Sequence, residues 1–442
     1  MTYTHKHAAR SVVAASLIAG LSAGAANATE GFFQNGFGAR EKAMAGAGVA
    51  NGTDATSAAL NPAGIVHAQD EFDSSTSLFM PFREFTGGAA PGFTPSGTIE
   101  STNNIFAIPN MARNWRTPDN PYFDAFTLSV VGNGGMNTTY RNAVGGLGCP
   151  VGTPGTGVYC FGKTGVDLQQ MLVSAAMAKQ FGNISVGIAP TAALQIFSDR
   201  GLQAFGKASI DSGNLSNRGT DYALGLGLRA GIEWVITPSM RVGVAGSTPI
   251  WSQAFDKYRG LFADQGGFDV PANIQAGVAV DMMPGLTFML DYRHIWFSET
   301  NAIGDPSTLL LAGIPLGANK GPGFGWKDVD AIKAGVEWKM SNDLTLRAGY
   351  SYNTQPVNSR DVMINILAPA VIKHHITGGF LYKWSDNIDL EFAAMYAPRE
   401  HVTGAELPGF GNPGHTIDIS MEQFEATFGV KYKFGAESAS LK

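Results

Sequence analysis

Side chains suited to covalent or acid–base chemistry are sparse in this 442-residue chain. Of the eight histidines, His294 shares a strand parity with Trp296, and of the adjacent His374 and His375 only His375 takes the opposite, inward parity. Hydrolysis would need a Ser/His or Asp/His pair held by a third group. No G-x-S-x-G elbow accompanies the histidines, and their spacing makes no zinc box. No GxxxxGK[ST] phosphate loop is present in the sequence, and no recognisable energy-coupling box follows the first 28 residues. The expectation is therefore no enzyme, no catalytic residue, no metal and no cofactor. A membrane-embedded hydrolase is the rival class, and turnover lost in His375→Ala would establish it. Cys149 and Cys160, the only cysteines, sit in a Gly/Pro-rich stretch. One disulfide in an oxidising compartment is expected, with two unlinked thiols as the alternative.

Period-two alternation sorts the remaining candidates. Arg229, Glu233, Lys333, Glu337, Arg347, Asp389 and Glu391 share the inward parity and are expected to pair across strands, because an isolated charge in a narrow interior is costly. Met289, Ile295, Phe297, Leu381 and Met395 on that parity are candidate walls of an apolar pocket, with Arg293 or Arg347 as candidate partners for a carboxylate. Between strands, Phe255, Tyr258 and Phe262 align on one face if residues 256–264 are helical, and Leu309 and Leu310 follow Pro306, a suitable helix start. These are either an outer capture surface or a lid of loops packed on one another.

The elements that must position these residues are strands. Charged residues make up 15%, against about 25% in soluble domains, yet no apolar run is long enough for a helical membrane span. The 56 glycines are dispersed, which excludes collagen, and a net charge of −6 offers no footprint for nucleic acid. His5, Lys6, His7 and Arg10, the apolar stretch 11–24 and Ala26-Asn27-Ala28 read as a signal peptide over residues 1–28. After Pro284, Leu286, Phe288, Leu290, Tyr292, His294 and Trp296 face one way, and Thr287, Met289, Asp291 and Arg293 the other. The run from Phe424 to Phe434 repeats the pattern, with aromatics near the strand ends. Tight turns at 182–183, 237–239, 283–285, 341–343 and 385–387 alternate with long connections at 199–219, 256–270, 301–327, 355–370 and 400–419. Weaker strands at 72–84, 101–112, 122–140 and 168–181 bring the total to about fourteen. The reading is all-β: a transmembrane antiparallel barrel over 71–434 with short periplasmic turns and long outer loops, the alternative being a soluble β-sandwich. Residues 435–442 form a tail.

Residues 29–70 fit no strand and are expected to plug the barrel as a hatch, the alternative being a small periplasmic cap outside the lumen. Phe32 to Gly38, the Ala-Met-Ala-Gly-Ala-Gly-Val-Ala run at 43–50, and Asp54-Ala-Thr followed by Asn61-Pro62-Ala63-Gly64 resemble the hatch of the FadL family, outer-membrane transporters of long-chain fatty acids and other hydrophobic compounds. The resemblance spans the mature chain and departs from it in the tail after Phe434. It implies passive uptake in the outer membrane of a Gram-negative bacterium by one monomeric chain among lipid and lipopolysaccharide. It also implies capture by outer loops, a lumenal pocket by the chain's N-terminus, and hatch rearrangement around Phe32, Phe33, Asn61, Pro62 and Ala63. Long-chain fatty acids are the first expected ligand and monoaromatic hydrocarbons the second; a hydrophilic porin is a remoter alternative. In the third strand Gly132, Asn133, Gly134 and Gly135 interrupt the alternation. Glycines within strands mark bends, and an inward bend here would open a lateral exit into the membrane, the alternative being that the strand ends at Val131 and the glycines begin the loop.

Overall fold

The computed structural model of the chain describes residues 30–141 and 145–435; the expected signal peptide and the tail beyond Gly435 lie outside the described residues. Alternating apolar residues demand a lipid-facing surface along each strand, and the wall that results is one antiparallel sheet closed on itself. Its strands are β1 (Glu71–Gly87), β2 (Phe106–Arg116), β3 (Ala125–Asn137), β4 (Gly165–Phe181), β5 (Ile184–Arg200), β6 (Asp221–Thr237) and β7 (Met240–Ser247). They continue as β8 (Asn273–Met283), β9 (Leu286–Ile295), β10 (Val329–Lys339), β11 (Leu344–Asn353), β12 (His374–Lys383), β13 (Ile388–Ala405) and β14 (Thr416–Lys433). β14 closes on β1 from Glu71 opposite Lys433 to Gly87 opposite Ile417. Two short segments, Gly97–Glu100 and Trp251–Ser252, pair with β1 and β6 within the loops. Leu290, Tyr292, Ile332, Tyr350, Ile376 and Phe428 stand exposed on the outer face, while Asp291, Lys333, Arg347 and Lys431 are buried inside, so the alternation is a lipid face against a filled lumen.

Several strands run further towards the loops than alternation shows. β13 continues to Ala405 and β14 begins at Thr416, which shortens the expected 400–419 loop to ten residues, 406–415. The added stretch, with a bulge between Ala397 and Glu400, carries exposed Arg399 and His401. It stands beyond the hydrocarbon, where no apolar face is required. The expected helix over 256–264 is instead a 3-10 turn, Asp256–Tyr258, and a short turn at Ala263–Gly266 with left-handed Asp264 and Gln265.

Residues 31–66 occupy the lumen as a helix, Gly38–Ala43, and 3-10 turns Ala55–Ala59 and Pro62–Val66. Asp54 caps the first of these turns by accepting from Ser57 N, and Asn61 caps the second by accepting from Ala63 N, with Pro62 at its first position. The wall makes room with glycine. Gly187, Gly231, Gly243, Gly349 and Gly379 lie on the inward parity, and a Cβ on any of them would strike Pro62, Asn61, Val49, Met44 or the neighbouring strand's backbone. Glycine here permits close approach of backbone to backbone.

Candidate functional site

Buried aromatic rings run from the loop end down to the start of the hatch. Tyr258 and Phe262 each pack on Phe197, with ring centroids 4.8 and 4.7 Å apart. Phe262 meets Phe268 at 4.9 Å, and Phe268 meets Phe32 at 6.0 Å. Phe32 then joins Phe33, Phe297 and Trp326 at 5.3 to 5.9 Å. Ile295 and Phe297 belong to this core, as do Phe32 and Phe33. Phe255, Tyr258 and Phe262 do not form an exposed capture surface: they are buried, and the loops pack on one another as a lid. Leu310, half-buried beside Leu309, lines a shallow apolar groove with Phe205, Leu316, Met363, Ile364 and Leu407.

The other candidates disperse for identifiable reasons. Met289 packs on Met44, Ala47 and Ala50 of the hatch. Met395 joins Phe79, Phe106 and Ile108 on the opposite wall. Leu381 lies at the turn end, in a charged recess of about 480 Å³ that also holds Arg40, Glu337, Arg347, Asp389 and Lys431. Arg347 is already paired at 2.8 Å with both Glu337 and Glu391, so its charge is met by two carboxylates of the wall. These two pairs do cross strands, as expected, and Asp389 pairs with Lys433. Three other inward charges instead reach the hatch. Arg229 donates to Leu60 O, Glu233 meets His67, and Lys333 holds Glu30 at 2.6 Å.

Glu30 is the residue that sequence reasoning missed. Fully buried, it sits between Lys333 and Arg293, the latter at 2.9 Å. Arg293 also lies over the Phe33 ring at 5.2 Å, while Lys333 donates to Asn35 O. Asp291 accepts from the Gly48 and Val49 amides. A carboxylate beside the first hatch aromatics was the available signal; its partners lie more than 260 positions away, beyond any local pattern.

At Gly132 the third strand leaves its neighbour. β2 and β3 pair from Arg116 opposite Ala125 only as far as Asn110 opposite Val131. β3 carries a register shift between Gly132 and Gly134 but stays paired with β4 to Asn137. The hatch takes over the vacated edge: Gln34 N donates to Asn133 O and Gly135 N to Phe32 O, and Gln34 Nε2 donates to Gly132 O. Residues 106–109 thus face a gap in the wall ladder, closed above by Thr102 N donating to Thr139 O and occluded from within by residues 32–34. Arg83 reaches across its upper edge to Asn137 O and Asn103 O. Beyond it, Cys149 and Cys160 are joined in a disulfide.

A closed fourteen-stranded barrel, plugged by its own N-terminal segment and asymmetric between short turns and long loops, defines a transport barrel of the outer membrane of Gram-negative bacteria. The chain belongs to the outer membrane protein transport protein family (OMPP1/FadL/TodX), which matches residues 165–434. Among solved structures it is similar to the P. putida toluene transporter TodX, with 17% identity and a TM-score of 0.63 over 90% of this chain and 99% of that one. It is also similar to the Ralstonia pickettii toluene transporter TbuX (17%, 0.59, 90% and 99%) and to a Pseudomonas aeruginosa FadL homologue (15%, 0.63, 91% and 100%). At these identities the likeness is one of fold. No curated protein matches.

Proposed function

We propose that this protein is a passive uptake channel for hydrophobic small molecules, which enter by the loop groove, pass down the aromatic column, pause beside Phe32, Phe33 and Phe297, and leave sideways through the gap beside Gly132–Gly135. The observation that carries this reading is the exchange of partners at the third strand: residues 32–34 hold both the floor of the aromatic column and the inner face of the gap. One displacement of that segment would release ligand and open the wall together. The way straight down is less favourable. The recess at the turn end is lined by charge, and an apolar ligand entering it would forgo about 0.8 kcal/mol of burial for each CH₂.

Glu30 engages both cations next to the aromatic cluster, so a ligand carboxylate would have to displace it. This favours neutral monoaromatic hydrocarbons as the first ligand class, ahead of the long-chain fatty acids that the family resemblance suggested. Fatty acids are the second reading, supported by Arg293 should Glu30 swing away. Displacement titrations on the purified protein with toluene and palmitate separate the two. Tight palmitate binding that is lost in Arg293→Gln would reverse the order. Saturable binding of neither ligand, together with large open conductance, would replace the reading with a hydrophilic pore.

A further inference from the structure

A second feature lies outside the aromatic column, on the lipid side of the wall beside the gap. At the loop ends of β3, β4 and β5 a recess of about 250 Å³ is lined by Asn103, Asn137, Thr139, Asp167, Ser198 and three cations. Asn137, Asp167 and Ser198 lie opposite one another across the three strands, on the outward parity that Val173 shares further down. Arg141, Lys163 and Arg200 stand exposed at its rim. Among the described residues none of the three makes an ion pair, although Arg40, Lys42, Arg293, Lys333, Arg347 and Lys431 inside the lumen all do. Partial burial, and then the charges of Arg200 and Arg141, push the Lys163 ammonium pKa down, so the three cations repel one another, and Asp167 in the same recess attracts Arg200 without forming an ion pair with it. Of the two carboxylates present, Asp167 accepts from Gln169, and Asp199 is buried and accepts from Asn217 N. On the same outward face, below Gln169 opposite Ile196, come Met171 opposite Leu194 and then Val173 opposite Ala192, an apolar column. Unpaired positive charge above exposed apolar surface is complementary to an anionic amphiphile.

We propose that this recess seats a phosphate of the lipopolysaccharide in the outer leaflet, its acyl chains lying on the column below and along the exit gap. The loop end faces outward, where the anionic amphiphile of the membrane is a phosphorylated glycolipid. A phosphate offers three acceptor oxygens to three separate donors, where a carboxylate offers two. The site depends on the outer-membrane location and is independent of which ligand the lumen carries.

The test uses full-length protein in neutral detergent, titrated by native mass spectrometry with bisphosphorylated lipid A, dephosphorylated lipid A, palmitate and inorganic phosphate. The comparison is with Arg141→Gln/Lys163→Gln/Arg200→Gln, and toluene displacement in the lumen serves as the internal control. The expected result is binding of bisphosphorylated lipid A that weakens roughly a hundredfold in the triple variant, with toluene affinity and heat-resistant mobility unchanged. Equal binding of dephosphorylated lipid A, or retention of affinity in the triple variant, would overturn the proposal. So would lipid A binding that needs a divalent cation and is lost in Asp167→Asn, since the carboxylate would then be the anchor. Loss of palmitate binding in the triple variant would instead make the recess part of the ligand route.

Discussion

Replacing Glu30 with glutamine should unseat the start of the hatch and leave the wall standing. Glu30 and Lys333 are fully buried and Arg293 is 4% exposed, so the variant removes the one carboxylate that pairs directly with both buried cations. Breaking a buried pair by removing one partner costs about 3 to 5 kcal/mol. The lower end applies, because Lys333 keeps Asn35 O and Asn35 Oδ1 and Arg293 keeps the Phe33 ring. About 3 kcal/mol is roughly a hundredfold change in the balance between the seated and displaced segment. Hydrogen exchange of residues 30–37 in detergent should accelerate by about that factor, and toluene flux into proteoliposomes should rise. Heat-resistant mobility should not change, since the strand ladder nowhere includes Glu30. Lys333→Met should act more weakly, since Glu30 retains Arg293. Exchange and flux both within about threefold of wild type would show that the three charges do not hold the segment, and would refute the reasoning.

Gly132→Leu would place a side chain against Ile108 at the gap. Uptake should fall at least about tenfold with toluene affinity and assembly preserved, because overpacking of this kind typically costs about 1 to 3 kcal/mol; undiminished uptake would sink the lateral route at this position. Asn61→Ala removes a cap together with bonds to Val49 O at 2.7 Å and Ile232 O at 3.2 Å. The seated hatch should lose about 1 to 3 kcal/mol, read as altered flux per heat-resistant barrel; unchanged flux would assign Asn61-Pro62 to stability alone. Cys149→Ser/Cys160→Ser should cost the 138–164 loop about 3 kcal/mol, visible as faster proteolysis within the loop. Thiol labelling of unreduced wild type should find no free cysteine, and two labelled thiols would refute the bridge.

Much of this protein is legible in one dimension. The strands over 286–295 and 424–433 announce themselves because their outer faces meet lipid, a uniform solvent that asks the same of every second residue wherever it falls. The tight turns, the hatch as a separate segment and the glycine break in β3 are similarly local. The loop ends of β13 and β14 were not, since beyond the hydrocarbon that demand lapses. Nor were the roles of inward residues. Met289 and Ile295 share a parity and a strand, yet one packs on the hatch and the other on the aromatic column. Lys333 looked like a cross-strand partner and holds Glu30 instead. The abundance of glycine was countable, but only the seated hatch shows that Gly187 and Gly231 are clearances for Pro62 and Asn61. The aromatics of 255–262 carried no mark to say whether they faced water or one another. An inward or loop side chain meets particular groups hundreds of positions away, and these partners exist only once β14 has closed on β1 around the hatch.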